Sequence, residues 1–233
     1  MHDEVSEVTS ALLAGAVALA LMAHLAWLTR TNRNKAIAAR AADASSIAEV
    51  IDHTTEISNG AVGVVTWAGS WKGERVQVRT IVDTLAVRKL PVRWLSVSIT
   101  EKVDLAGTFD MMMRPGAPTT FSNFDHLEHT LPKVAGFPAE AVVRTDRKGV
   151  RFPSETIAGH LDVFSDGRAK ELLITPNGIR IVWLLAEADR ARYGVFRQAE
   201  FGNAAIDPTL VERLLRSAAA LRKAINRNQR QAA

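Results

Sequence analysis

The chain has no cysteine among its 233 residues, which excludes disulfides, thiolate nucleophiles and every sulfur-ligated metal or cluster site. That absence suits a reducing compartment such as the cytoplasm. Lys and Arg are missing from the first 29 residues, so the segment fits poorly as a cleaved secretion signal, which needs a positive leading region. Catalytic signatures are missing too. Gly60, Gly63, Gly69 and Gly73 form neither GxGxxG nor GxxxxGK[ST], and GxSxG does not occur; dinucleotide binding, nucleoside triphosphate binding and the nucleophile-elbow hydrolases have no support. No cofactor is expected. The net charge of +4 is mild, and no zinc finger, RNA-recognition signature or interleaving of aromatics with Lys and Arg accompanies it, so nucleic acid is not an expected partner.

What the sequence does contain is ALLAGAVALALMAHLAWL, residues 11 to 28, with His24 as its one ionisable side chain. At 1.5 Å per residue a helix over this stretch is about 27 Å long, and Thr9, Ser10 and Thr29 extend it toward the hydrocarbon thickness of a bilayer. Trp27 stands where an interfacial aromatic belongs. A buried soluble helix is the competing reading, as is an amphipathic one, but the stretch is apolar on all sides and shows no polar stripe. Asp3, Glu4 and Glu7 precede it, and Arg30, Arg33, Lys35 and Arg40 follow it. The positive-inside bias then places the N-terminus outside and everything after residue 29 in the cytoplasm, at an inner membrane crossed once.

The expected organisation is a short extracytoplasmic tail at 1–10, a transmembrane helix at 11–29, a juxtamembrane helical linker at 30–56 and a soluble α+β domain at 57–233. That domain can bury one substantial core and is too short for two comfortable ones. Its sheet is expected to be mixed or antiparallel. Val65 and Trp67, then Val76, Val78 and Thr80, alternate on either side of the glycine-bearing turn GSWKGE, which reads as a hairpin. KLPVRWLSVSI is apolar on both faces, as a central strand would be. In TFDMMMRPGAP, strand period puts Met111 and Met113 on one face and Met112 on the other. AEAVVRTD and GVRF read as two strands around DRKG, and ELLITPNGIRIVWLL as a hairpin turning at Pro176, Asn177 and Gly178. SETIAGHLDVFSDG reads as an amphipathic helix capped by Ser154. DPTLVERLLRSAAALRKAINRNQRQ reads as a terminal helix with Asp207 at the cap, Pro208 in the first turn and an apolar stripe of Leu210, Leu214, Ala218, Leu221 and Ile225.

One cluster invites a chemical reading. FSNFDHLEHTLP carries Asp125, His126, Glu128 and His129, and on a helix His126 and His129 would share a face. Imidazole and carboxylate suit zinc, manganese or iron, but HLEH is not HExxH, and a third ligand would have to come from His53, His160 or Asp162. The four residues are therefore weak metal candidates, and no metal site or catalytic residue is assigned. Glu101, Asp104, Asp110, Glu140 and Asp146 could be paired as glycosidase carboxylates only with a separation that spacing does not fix. Arg213, Arg216, Arg222, Lys223, Arg227 and Arg230 on the terminal helix are expected to stay exposed and to meet a partner, whether anionic lipid headgroups or protein.

The segments GSWKGERVQVRT, FPAEAVVRTDRKG and ELLITPNGIRIVW, followed by the terminal helix, resemble the soluble part of uncharacterised bacterial membrane-anchored proteins whose α+β domain follows one or two N-terminal spans. The resemblance covers about residues 57–228. TFD at 108–110 stands where that pattern has a Phe-Asp pair, and MMMRPG departs from the polar continuation that follows it there. The resemblance implies no activity and carries over no binding residues. The expected function is a membrane-tethered, non-enzymatic interaction or assembly module with a lipid bilayer and a protein, or a second copy of itself, as partners; the alternative is a membrane-bound metal-dependent hydrolase using residues 125–129.

Overall fold

The computed structural model describes residues 2–57, 63–84, 90–116, 119–196, 199–202 and 205–232; Gly60 and Ala233, named above, lie outside them. The chain forms two compact units, Met1–Asp43 and Ala44–Ala233. The first consists of most of α1, a helix over His2–Ala48. Leu12, Val17, Leu21, Leu25 and Trp27 each leave more than half of their surface exposed, as expected of a helix with no polar stripe. Within α1, Leu12–Ala48 contains a stretch long and apolar enough to cross a membrane by length and composition. His24 and Trp27 stack with ring centroids 5.8 Å apart.

The second unit is built on nine strands, β1 (Asp52–Ile57), β2 (Val64–Trp71), β3 (Glu74–Asp83), β4 (Val92–Ile99), β5 (Phe109–Met113), β6 (His129–Leu131), β7 (Ala141–Thr145), β8 (Ala169–Thr175) and β9 (Gly178–Glu187). They form one sheet in the order β1-β2-β3-β4-β9-β8-β5-β7-β6, and every pairing is antiparallel. The helices of this unit are α2 (Ser154–Ala158), α3 (Arg190–Phe196) and α4 (Pro208–Ala232). The chain is thus an α+β fold with one long apolar N-terminal helix.

Alternation along each strand sets two unlike faces. Helix α4 lies across β4 and β9 beside α2. Under it Trp67, Val78, Leu95, Val97, Ile181 and Trp183 are buried with Leu214, Ala218, Leu221 and Ile225 of the helix, so the predicted stripe is the docking face; Leu210 packs at its edge, partly buried. Asp207 caps α4 by accepting from the Thr209 amide at 2.8 Å. The opposite face carries a smaller cluster of Ile81, Trp94, Met112, Phe121, Phe124 and Val182. Met111 and Met113 go to the first cluster and Met112 to the second, as strand period requires.

Two turns show different uses of glycine. Between β2 and β3, Lys72 and Gly73 both have positive φ, 52° and 80°, the pattern of a type I′ turn that matches strand twist. Gly178, predicted as a turn residue, instead opens β9 opposite Thr175, and the turn is Pro176–Asn177. A Cβ on Gly178 would lie 2.3 Å from the Ile99 carbonyl oxygen, so close backbone approach fixes glycine there.

Several expectations are corrected. The juxtamembrane helix ends at Ala48, not near residue 56, because Asp52–Ile57 pairs with β2 as an edge strand, where β-branched Thr54, Thr55 and Ile57 are at home. GVRF forms no strand: β7 already has β5 and β6 on its two edges, and Phe152 turns inward to meet Phe109 at 5.6 Å. The 154–165 segment is two short pieces, α2 and a 3-10 turn at Asp162–Ser165. They are separated at Gly159 and His160, and Ser154 makes no cap because Pro153 occupies that place with no side-chain bond.

Candidate functional site

The residues singled out for metal binding do not assemble. Phe124–His126 is a single 3-10 turn, and His129 begins β6 paired to Thr145. The two imidazoles therefore share no helical face: Thr130 and Leu131 are held in the ladder and Pro132 could not continue a helix. Asp125, His126 and Glu128 are exposed, and Asp125 stands 3.9 Å from Arg144. Among the described residues no three His, Asp or Glu side chains form a metal-holding group, so the hydrolase alternative has no assembled ligand set there. The proposed carboxylate pairs are likewise dispersed. Glu101 binds Arg75 at 3.0 Å, Glu140 binds Arg114 at 2.8 Å, and Asp146 accepts from the Thr108 amide at 2.8 Å.

The basic residues of α4 differ among themselves. Arg213, Arg216, Lys223, Arg227 and Arg230 are exposed. Arg213 covers the Trp183 ring, 4.8 Å from its centroid, and Arg216 pairs with Glu212 one turn back at 2.8 Å. Arg222 departs from the expectation of exposure. Its side chain, 18% exposed, binds Glu74 at 2.8 Å and donates to the Lys102 carbonyl, fixing the helix to the start of β3. Near the first turn of α4, Trp183, Arg213, Arg168, Asp166 and Asp207 line an open cleft of about 510 Å³. Two guanidiniums and two carboxylates balance in it, and Asp207 is already engaged with Thr209.

The sheet face turned away from α4 holds a group that sequence spacing does not bring together. Pairing aligns Thr66 of β2 with Arg79 of β3, Arg79 with Ser96 of β4, Ser96 with Val182 of β9, Val182 with Glu171 of β8, and Glu171 with Met112 of β5. A parallel row two positions along runs through Gln77, Ser98, Arg180, Leu173, Asp110 and Arg144. Asp110, Glu171, Ser96 and Thr66 are all buried. Arg180 donates to Glu171 Oε2 from Nε at 3.1 Å and Nη2 at 2.8 Å. Arg144 lies over the Phe124 ring and donates to the Phe124 carbonyl, which holds the overlying 121–126 segment against the sheet.

Burial sets the electrostatics. Loss of solvent pushes the Asp110 carboxyl up to about 8, helped by the neighbouring Glu171 and opposed by Arg180 and Arg144. Glu171 is raised for the same first reason, with Arg180, Ser122 and Lys170 pulling the other way. Arg79 is lowered by burial and then by the positive charge of Arg180. Thr66 Oγ1, Arg79 Nε, Ser96 Oγ, Asp110 Oδ1 and Glu171 Oε1 are all buried without a hydrogen-bond partner among protein groups, where most such atoms are satisfied. The signal legible in the sequence was a charged residue inside an otherwise apolar strand, as in FDMMM, ELLIT and GIRIVWLL.

No family profile and no curated protein matches the chain. Among solved structures, the crystal structure of the mycobacterial trehalose monomycolate transport factor A, TtfA, is similar, with a TM-score of 0.42 and 10% identity over 80% of this chain and 93% of that one. A likeness this distant carries no argument about role.

Proposed function

We propose that this chain is a membrane-tethered, non-enzymatic interaction or assembly module of a bacterial inner membrane. In this reading α1 crosses the bilayer once, its N-terminus lies outside, and the sheet unit works in the cytoplasm. The observation that carries it is α1 itself, whose segment from Leu12 to Leu28 exposes its apolar side chains on every side, an arrangement that water disfavours and a hydrocarbon layer satisfies. The step from no Lys or Arg before residue 30 to four by residue 40 supports the orientation.

The contact elements are the outward face of α4 and the partner it meets, a protein or a second copy. Arg213, Arg216, Lys223, Arg227 and Arg230 supply exposed positive charge that suits anionic headgroups or an acidic protein surface, each near-surface charge contributing at most about 1 kcal/mol; Arg222 serves the fold instead. The test pairs topology with capture. A reporter active only in the cytoplasm, fused after Ala233, should be active while an exported reporter at the same site stays silent. Crosslinking in membranes should then give a defined adduct that weakens when those five residues are changed to Gln. The reverse reporter pattern overturns the orientation, and an adduct indifferent to all five substitutions overturns the assignment of α4.

A further inference from the structure

The segment over residues 121–126 lies on the sheet face turned away from α4 and is held there by apolar and polar contacts together. Phe121 meets the Trp94 ring edge-on with centroids 5.1 Å apart, and Phe124 is buried in the same cluster as Met112. The Ser122 hydroxyl oxygen accepts from the Phe124 amide at 3.1 Å and stands near Glu171. The charged tie is Arg144 of β7. It donates from Nη1 to the Phe124 carbonyl at 3.2 Å, lies over the Phe124 ring and has Asp125 3.9 Å away.

Directly opposite Arg144 in the β5–β7 ladder is Asp110, and residues so paired point to one face with Cα atoms about 5 Å apart. One guanidinium therefore stands between two acceptors, the strap carbonyl on one side and the Asp110 carboxyl on the other. Asp110 Oδ1 is buried with no hydrogen-bond partner among protein groups. The other charges bearing on Asp110 are Glu171 of β8 and Arg180 of β9, and Arg180 already binds Glu171 Oε2 through Nε and Nη2. Lys170 bears on Glu171 and donates to the Met113 and Arg114 carbonyls. Arg144 is the cation placed to exchange one acceptor for the other.

We propose that residues 121–126 form a proton-gated strap. With Asp110 neutral, Arg144 ties the segment down through Phe124 and Asp125. When Asp110 gives its proton to water, Arg144 turns to the carboxylate and lets the strap lift from Trp94 and Met112. A protonated carboxyl competes weakly for a guanidinium, whereas a buried carboxylate makes a charge-assisted bond about twice as strong as a neutral pairing. Burial sets the changeover near pH 8, so the strap is tied below that pH and released above it.

The test is millisecond hydrogen–deuterium exchange on the full chain in nanodiscs at pH 6.5 and 9.5, each rate divided by the intrinsic rate at the same pH. The reporting amides are Phe124, His126 and Leu127, which donate to Ser122 Oγ, the Asn123 carbonyl and the Phe124 carbonyl. In the parent their protection should fall at least about tenfold between the two pH values, the loss of one hydrogen bond to a charged group, while the β3–β4 ladder stays the better protected. Asp110→Asn keeps the volume of the side chain and should show the same strap protection at both pH values. Arg144→Gln, which has no charge to transfer, should show low strap protection at both. Asp110→Asn decides the case without Arg144→Gln: a parent strap indifferent to pH, or a fall as large in Asp110→Asn as in the parent, overturns the proposal. A fall shared equally by the strap and the β3–β4 ladder also overturns it, since the whole unit is then opening rather than the strap.

Discussion

Replacing Asp110 by Asn separates the shape of a buried carboxyl from its proton. Asp110 is 2% exposed on β5, and burial carries its carboxyl from the ordinary 3.8 to about 8. An acid raised in the folded state binds its proton more tightly there than in the unfolded chain. Its contribution to stability is therefore complete below about pH 4 and is lost progressively as pH rises toward 8. Four units at 1.36 kcal/mol each set an upper bound of about 5–6 kcal/mol, and relaxation around the ionised group reduces this to an expected 2–4 kcal/mol. Asn keeps the volume and has no proton to lose. Urea unfolding of the full chain in detergent can be followed through tryptophan emission, since Trp67, Trp71, Trp94 and Trp183 lie in the sheet and Trp27 alone lies in α1. At pH 5 parent and Asp110→Asn should agree within about 1 kcal/mol; at pH 8.5 the variant should be the more stable by the 2–4 kcal/mol that ionisation removes from the parent. Parallel stability curves between pH 5 and 8.5 would refute the argument, showing that Asp110 ionises in the folded sheet at little cost.

Leu214 is fully buried on the docking face of α4, so Leu214→Ala should lower stability by about 2–5 kcal/mol in the same urea assay, and Leu214→Asp should prevent folding of the sheet unit, seen as loss of near-ultraviolet dichroism. Gly178→Ala forces a Cβ against the Ile99 carbonyl and should destabilise by about 2–4 kcal/mol, with the altered backbone visible as amide shifts confined to β4, β8 and β9. Arg222→Gln, which leaves the largely buried Glu74 with Lys223 at 3.9 Å as its remaining ion pair among the described residues, should cost about 1–3 kcal/mol. Arg216→Gln, an exposed pair one turn along the same helix, should stay within about 0.5 kcal/mol by denaturant midpoint.

Local features of the fold were legible because their causes are local. The alternation of Val76, Val78 and Thr80, the doubly apolar Trp94–Ile99 run, the methionine split and the stripe of α4 all follow from which side of one element a side chain takes. What escaped depends on neighbours distant in the chain. β1 is a strand because β2 offers an edge to pair with, GVRF is not because β7 has none left, and HLEH is split between a 3-10 turn that ends at His126 and an edge strand that begins at His129. The Arg79, Ser96, Asp110, Glu171 and Arg180 group needed the strand order and register, since its members come from five strands that no spacing rule connects. His126 and His129 misled for the complementary reason: closeness in sequence suggested a shared face that the backbone does not provide.

The placement of β9 has a consequence for how the chain comes to be made. Strands β1 to β4 form one run of neighbours and β5 to β8 another, and the two halves of the sheet meet only through β9, wedged between β4 and β8. During synthesis the inner edge of β4, with Leu95, Val97 and Ile99 on one flank, has no hydrogen-bonding neighbour until residues 178–187 emerge, and α4, which covers that flank, comes later still. An unpaired apolar edge of that kind is a template for pairing between nascent chains. Premature termination or cleavage between the end of β8 and β9 thus leaves two half-sheets with unpaired apolar borders rather than a smaller working domain.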